Sequence, residues 1–128
     1  MTIDKRKNYY LTIDTETANN IDCPFVFDIG GAVHDKQGNI YETFSFIVYE
    51  VFFDMPDLMA NCFYVNKLPQ YKAEIKSGKR KVVKYVTVKK HIDKLCKKYD
   101  IKAIIAHNMP FDYRSTNTTQ RYLTASKY

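Results

Sequence analysis

Tyr9-Tyr10-Leu11-Thr12-Ile13 runs directly into Asp14-Thr15-Glu16-Thr17, and no other stretch narrows the possible folds as much. The apolar half is rich in β-branched and aromatic side chains, which suit a pleated, buried strand. The spacing predicts a first strand over 9–14 that closes on two carboxylates one residue apart. Side chains at i and i+2 leave the same face of a strand. Asp14 and Glu16 are therefore expected on one side, at the strand's carboxyl end. Two like charges so close repel unless something positive stands between them. A divalent cation with oxygen ligands, Mg²⁺ or Mn²⁺, meets that need. A polar turn closing a strand is the plainer use of the same residues.

The chain has 128 residues, which is enough for one domain over 1–128 with a buried core. Its 45% apolar content and mean hydropathy of −0.42 fit a globular protein. No run approaches the roughly 18 apolar residues of a membrane span. Met1 to Asn8 is polar and charged, so a cytoplasmic location without a secretory signal is expected. Cys23, Cys62 and Cys96 form no Cys-x-x-Cys pair and have no histidine at a zinc-type spacing. Three reduced thiols are expected.

The net charge of +6 is unevenly spread. Lys72 to Lys102 holds twelve Lys or Arg against three acids, Glu74, Asp93 and Asp100. A solvated lysine face is one use of such a segment. Beside an acidic site, it is also a face that a phosphate backbone rewards.

Further along, Phe25 to His34 reads as a second strand, with Gly30-Gly31 marking a bulge or a close approach. Asp35 to Asn39 reads as a turn and Ile40 to Val48 as a third strand, completing an antiparallel meander. Asp54 can cap a short helix from Met55 to about Tyr64. A second helix is expected over Leu68–Ser77, stopped by Gly78, whereas Lys79 to Tyr85 reads as a connector around Val82-Val83. Thr87 can cap a longer helix whose Val88, Ile92, Leu95, Cys96 and Tyr99 share one face, with Asp100 at its end. Ala103-Ile104-Ile105-Ala106 is a continuous apolar run of the kind found in a parallel strand covered on both faces. Pro110 then suits the first turn of a last helix reaching about Leu123. The elements predict an α/β fold with a mixed sheet in the spatial order 3-2-1-4, strand four parallel to strand one.

Ala106-His107-Asn108-Met109-Pro110-Phe111-Asp112 follows the fourth strand at once. An acid in a first helical turn is stabilising in its own right, because free N–H groups and the helix dipole favour it. If strand four lies beside strand one, however, Asp112 comes to the edge that Asp14 and Glu16 occupy, and ligands gather at the carboxyl ends of such strands. Here the chain resembles a known family. Ile13-Asp14-Thr15-Glu16-Thr17 is similar to the first motif of the DEDD-type 3′–5′ exonucleases, and His107-Asn108-Met109-Pro110-Phe111-Asp112 to their second. Lys67-Leu68-Pro69-Gln70-Tyr71 and the lysine-rich helix look most like the small phage-type members.

The resemblance implies a ribonuclease H-like fold with helices packed on the sheet. It also implies two-metal hydrolysis of nucleic acid phosphodiesters, with two cations about 4 Å apart. Asp14 would bridge both ions, with Glu16 and Asp112 each binding one. The main chain around Thr15 and Thr17 would meet the terminal nucleotide, with Asn108 and Phe111 orienting and stacking on it and His107 ordering the turn. Family members add a third motif, Tyr-x-x-x-Asp or His-x-x-x-x-Asp, which brings the fourth carboxylate and the general base. It is absent from 113–128, so the chain is expected to be C-terminally truncated relative to the family and slow by itself. An inactive nuclease-fold module that binds nucleic acid or a protein is the alternative. Single-stranded DNA or RNA is the expected partner, with no membrane. A homodimer through the exposed edge of strand four is also expected.

Overall fold

The computed structural model describes residues 3–18, 25–60, 65–106 and 119. β1 (Tyr10–Ala18), β2 (Phe25–His34) and β3 (Ile40–Val48) form the expected antiparallel meander. Two short helices, α1 (Tyr49–Phe52) and α2 (Pro56–Met59), and a 3-10 turn (Val65–Lys67) lead into α3 (Leu68–Ser77). β4 (Lys81–Val83), α4 (Tyr85–Tyr99) and β5 (Ala103–Ile105) follow. Among the described residues, no helix is long and apolar enough to cross a membrane.

The sheet is five-stranded and mixed, in the order β4-β3-β2-β1-β5. This corrects the expected four-strand order 3-2-1-4. The strand expected as the fourth does lie parallel beside β1, as β5, with Tyr10 opposite Ala103 and Thr12 opposite Ile105. The additional strand is β4, parallel to β3 through Phe46–Lys81, Ile47–Val82 and Val48–Val83. Three residues are too few to show any periodicity. The β-branched Val82-Val83 pair nevertheless fits the pleat beside Ile47 and Val48.

β4 also explains the length of α4. The chain leaves one edge of the sheet at β4 and re-enters at the other edge as β5. Four strand spacings amount to about 19 Å, and the 15 residues of α4 extend about 22 Å. α4 thus runs obliquely over one face, packing mainly on β3 and Tyr9. Val88, Leu95 and Tyr99 are buried there, and His91 sets its ring edgewise against Phe44 and Phe46. Lys84 rather than Thr87 is its N-cap, and Asp100 closes it in the left-handed region at φ 49°. Likewise Met55, not Asp54, precedes α2. The rest of the expected 55–64 helix lies outside the described residues.

Two further expectations are corrected. β1 does not stop at Asp14, because its pairing with β2 continues to Ala18. Nor is Ala103–Ile105 covered on both faces. It lies at the end of the sheet, where Ile104 and Ile105 are each 42% exposed. The core instead gathers around Leu11, Val26, Phe27, Ile29, Val33, Ile47 and Val48, all at most 1% exposed. Burying each such side chain contributes about 1.5–3 kcal/mol.

Gly31 is the close approach that the Gly30-Gly31 pair foretold. A Cβ there would lie 2.5 Å from the ring of Phe44, which Phe46 and His91 hold in place. Gly31→Ala should therefore destabilise the fold by about 1–3 kcal/mol in urea unfolding.

The β2–β3 turn is held by Asp35, whose carboxylate accepts hydrogen bonds from the Gln37 and Asn39 backbone N–H groups, Asn39 Nδ2 and the Tyr41 hydroxyl. These bonds, that from Tyr41 first, hold the carboxyl well below its ordinary value of 3.8. Below that value the unfolded chain takes up a proton that the native turn refuses, so stability falls as pH falls. Urea midpoints measured from about pH 5 to pH 3 should decline more steeply for wild type than for Asp35→Asn.

Candidate functional site

Asp14 pairs with Gly30 and Glu16 with Asp28, and the register shifts only after Glu16. Alternation therefore puts Asp14, Glu16 and Asp28 on one face of the sheet. It is the face away from α4, because Ile13 and Thr15 share the other face with Gly31, Ile29 and the Phe44–Phe46 pair. Asp14 is exposed and Glu16 half-buried. Across from Asp14, Gly30 has no side chain, and a Cβ there would meet nothing closer than the Phe44 carbonyl oxygen at 3.5 Å. Packing does not require this glycine. Its absent side chain leaves open ground beside Asp14.

Asp28 is the residue that pattern reading passed over. Like charges directly opposite each other destabilise a strand pair, and Asp28 stands opposite Glu16. Its carboxylate accepts a hydrogen bond from the Tyr71 hydroxyl at 3.0 Å and a close ion-paired one from Arg80 Nη2. Arg80 Nη1 lies 3.9 Å from Glu74 Oε2, and the guanidinium stacks 5.5 Å from the centre of the Tyr71 ring. Burial pushes the Asp28 carboxyl above its usual range. The charge of Arg80 and the bonds from Tyr71 and Arg80 oppose that shift, while the charge of Asp14 adds to it. Burial, followed by the charge and hydrogen bond of Asp28, drives the Tyr71 phenol well above its usual range, and Glu16 adds to the effect. These groups form one electrostatic unit.

The sequence held a signal for Asp28. An acid inside Phe25-Val26-Phe27-Asp28-Ile29 is buried at a cost unless it is paired. Its partners, 43 and 52 residues away, show in no local spacing. The register shift beside it, where Phe27 is the extra residue of β2, is the kind of bulge that re-aims side chains near sites.

Of the other expected site residues, Thr15 is buried on the α4 side, which leaves its main chain as the part closest to Asp14. Thr17 is half-buried beyond the bulge, opposite Val26. His107, Asn108, Phe111 and Asp112 lie outside the described residues. β5 ends opposite Thr12, so Ala106 brings the chain to the level of Ile13 and Asp14, one residue before the second motif begins. Farther along, Thr119 is buried and helical, and its hydroxyl accepts a hydrogen bond from the Val26 N–H at 2.9 Å.

Among the described residues, no group of three or more His, Cys, Asp or Glu is placed to hold a metal ion. Asp28 is already engaged by Arg80 and Tyr71. Asp14 and Glu16, two hard oxygen donors on one face with Asp14 open to solvent, fit a divalent cation of the Mg²⁺ or Mn²⁺ type as part of a larger ligand set. No protein-family model matches the chain, and no curated protein matches it.

Removing one partner of a buried ion pair leaves an uncompensated charge. Arg80 and Asp28 are partly buried, so Arg80→Met should destabilise the fold by about 1–3 kcal/mol. Adding Asp28→Asn should recover part of that loss, giving a clearly non-additive double-mutant cycle in chemical denaturation. Additive losses would mean that the pair does not act as a unit.

Proposed function

We propose that the chain is a metal-dependent 3′–5′ exonuclease of the DEDD type, on a ribonuclease H-like sheet, acting on single-stranded DNA or RNA. The observation that supports it most is the shared face of Asp14 and Glu16 on β1, beside a parallel β5 that ends opposite Thr12 and leads the chain toward Asp14. Asp14 and Glu16 would hold the cation, and Asp112 would complete the set as the resemblance implies. Bound there, a divalent ion supplies an activated water and a counter-charge for the leaving oxygen.

The protein's own part is positional. β1 fixes the two acids on a paired strand, Gly30 keeps room for a phosphate beside Asp14, and the Arg80–Asp28–Tyr71 group keeps a guanidinium near a crowded acidic face. The main chain at Thr15 and Thr17, with His107, Asn108 and Phe111, receives the terminal nucleotide. A binding module without turnover is the second reading. It is favoured by Arg80 and Tyr71, which already engage the Asp28 carboxylate on the acidic face.

The test is a time course on a 3′-labelled oligonucleotide with Mg²⁺ or Mn²⁺, with Asp14→Asn as the blank. Slow loss of label, abolished by Asp14→Asn, is the expected result. General base catalysis contributes about 10²–10⁴-fold, so appending a segment with the missing motif should raise the rate by a factor of that order. No Asp14-dependent release under either metal, with or without the appended segment, would leave the binding module.

A further inference from the structure

At the opposite end of β1 from Glu16, a hollow of about 600 Å³ opens beside Tyr9. Its wall includes Lys5, Lys7, Lys97, Lys98 and Lys102, with Asp100 as the lone acid. These lysines come from the segment before β1, the last turn of α4 and the lead into β5. The Lys102 backbone N–H donates to the Tyr9 carbonyl at 2.9 Å and fixes two of these segments together.

Cations in the last turn of a helix are ordinary, because the helix dipole favours them. That accounts for Lys97 and Lys98 and leaves Lys5, Lys7 and Lys102 unexplained. Lys98 is paired with Glu42 at 3.0 Å, and Lys7 donates to the Tyr41 hydroxyl at 3.2 Å. Lys5, Lys97 and Lys102 form no ion pair among the described residues. With Asp100 the one acid on the wall, the charge there stays positive among the described residues, and a bound anion would offset it.

The hollow continues on both sides. A space of about 390 Å³ shares Lys7 and Asn8 and adds Lys36. Another of about 610 Å³, lined wholly by α4, shares Lys97 and Lys98 and adds Lys90, Lys94 and the acid Asp93. Asp35, on the first of these, has its carboxylate oxygens turned into its own turn. The hollow and these flanking spaces together make up a predominantly basic trough.

We propose that this trough binds the phosphate backbone of single-stranded nucleic acid, at a site separate from Asp14 and Glu16. The choice of nucleic acid as the polyanion rests on the exonuclease proposal. The shape favours it as well. The hollow beside Tyr9 is recessed, and none of the exposed large apolar side chains lines the trough, so a lipid bilayer has nothing to take up. Tyr9 and Tyr99 are only 3% and 2% exposed, so they offer no stacking platform, and binding is to phosphate rather than to base. The trough lies about 17 Å along β1 from Asp14. Tyr9 packs on Tyr99 of α4, so the trough opens on the α4 side of the sheet, and a strand whose end is at the carboxylates would wrap around the amino end of β1 to reach it.

The test is fluorescence anisotropy with a labelled oligothymidylate of about 20 nucleotides, in EDTA so that neither metal bridging nor hydrolysis contributes. Lys5→Gln/Lys97→Gln/Lys102→Gln should weaken binding by about tenfold or more. It should also lower the salt slope by about 2, near 0.7 for each lost phosphate contact. The matching Lys→Arg triple should keep wild-type affinity, which separates charge from folding. Lys72→Gln/Lys76→Gln/Lys79→Gln, with the same change in net charge away from the trough, should change affinity by less than about twofold, as expected for contacts that are screened or absent.

Unchanged affinity in the first triple, or an equal loss in the control triple, would overturn the proposal. So would phosphatidylserine vesicles outcompeting the oligonucleotide. The two proposals fail separately. Asp14→Asn should bind the oligonucleotide normally in EDTA even if no hydrolysis is ever seen. Asp14-dependent hydrolysis with an unaffected first triple would remove only the trough.

Discussion

The register of β1 against β2 is the constraint on which the rest depends. It sets Glu16 opposite Asp28 and Asp14 opposite Gly30, which gathers three acids on one sheet face. Such a face cannot be left uncompensated. Arg80 and Tyr71 neutralise and hydrogen-bond Asp28, and in doing so they tie α3 and the entry to β4 onto the sheet. A one-residue slip of the register would turn the acids into the apolar layer beneath α4 and bring Ile13 and Thr15 to the open face. The core and the candidate site are therefore specified by the same pairing.

Charge is segregated along β1. Its carboxyl half faces the acids, and its amino end opens on a lysine-lined trough. The contrast arises from topology. α4 returns the chain across the sheet and delivers its basic last turn next to the residues before β1, while β5 runs up the strand toward Asp14. Under the proposed function, a polyanion that touched both ends would meet the acidic face and its cation at one and ammonium groups at the other. This is a workable layout for an enzyme that holds a strand while acting at its terminus.

The meander, α3 with its Gly78 stop at φ 84° and the buried stripe of α4 were legible because each rests on local periodicity and a terminating residue. Asp14 and Glu16 were legible for the same reason, since i and i+2 on a strand need no tertiary information. β4 was not, because three residues carry no period and its identity as a strand comes from Phe46–Val48. The Asp28–Tyr71–Arg80 group was hidden by sequence distance, although a charged residue amid Phe25–Ile29 marked one member of it. β1 outran its expected end because cross-strand pairing overrode the polar character of Thr15 and Glu16. The lysine count foretold a basic surface. Only the fold showed that Lys5 and Lys7 join Lys97 and Lys102 around one hollow.

The most direct test of the central claim, that the Asp14–Glu16 face holds a divalent cation, is calorimetric titration of Mn²⁺ into the protein and into Asp14→Asn. The wild-type chain should bind Mn²⁺ at a site that Asp14→Asn weakens by at least about tenfold, with thermal unfolding of the two proteins unchanged in the absence of metal. Identical Mn²⁺ isotherms for the two folded proteins would contradict it.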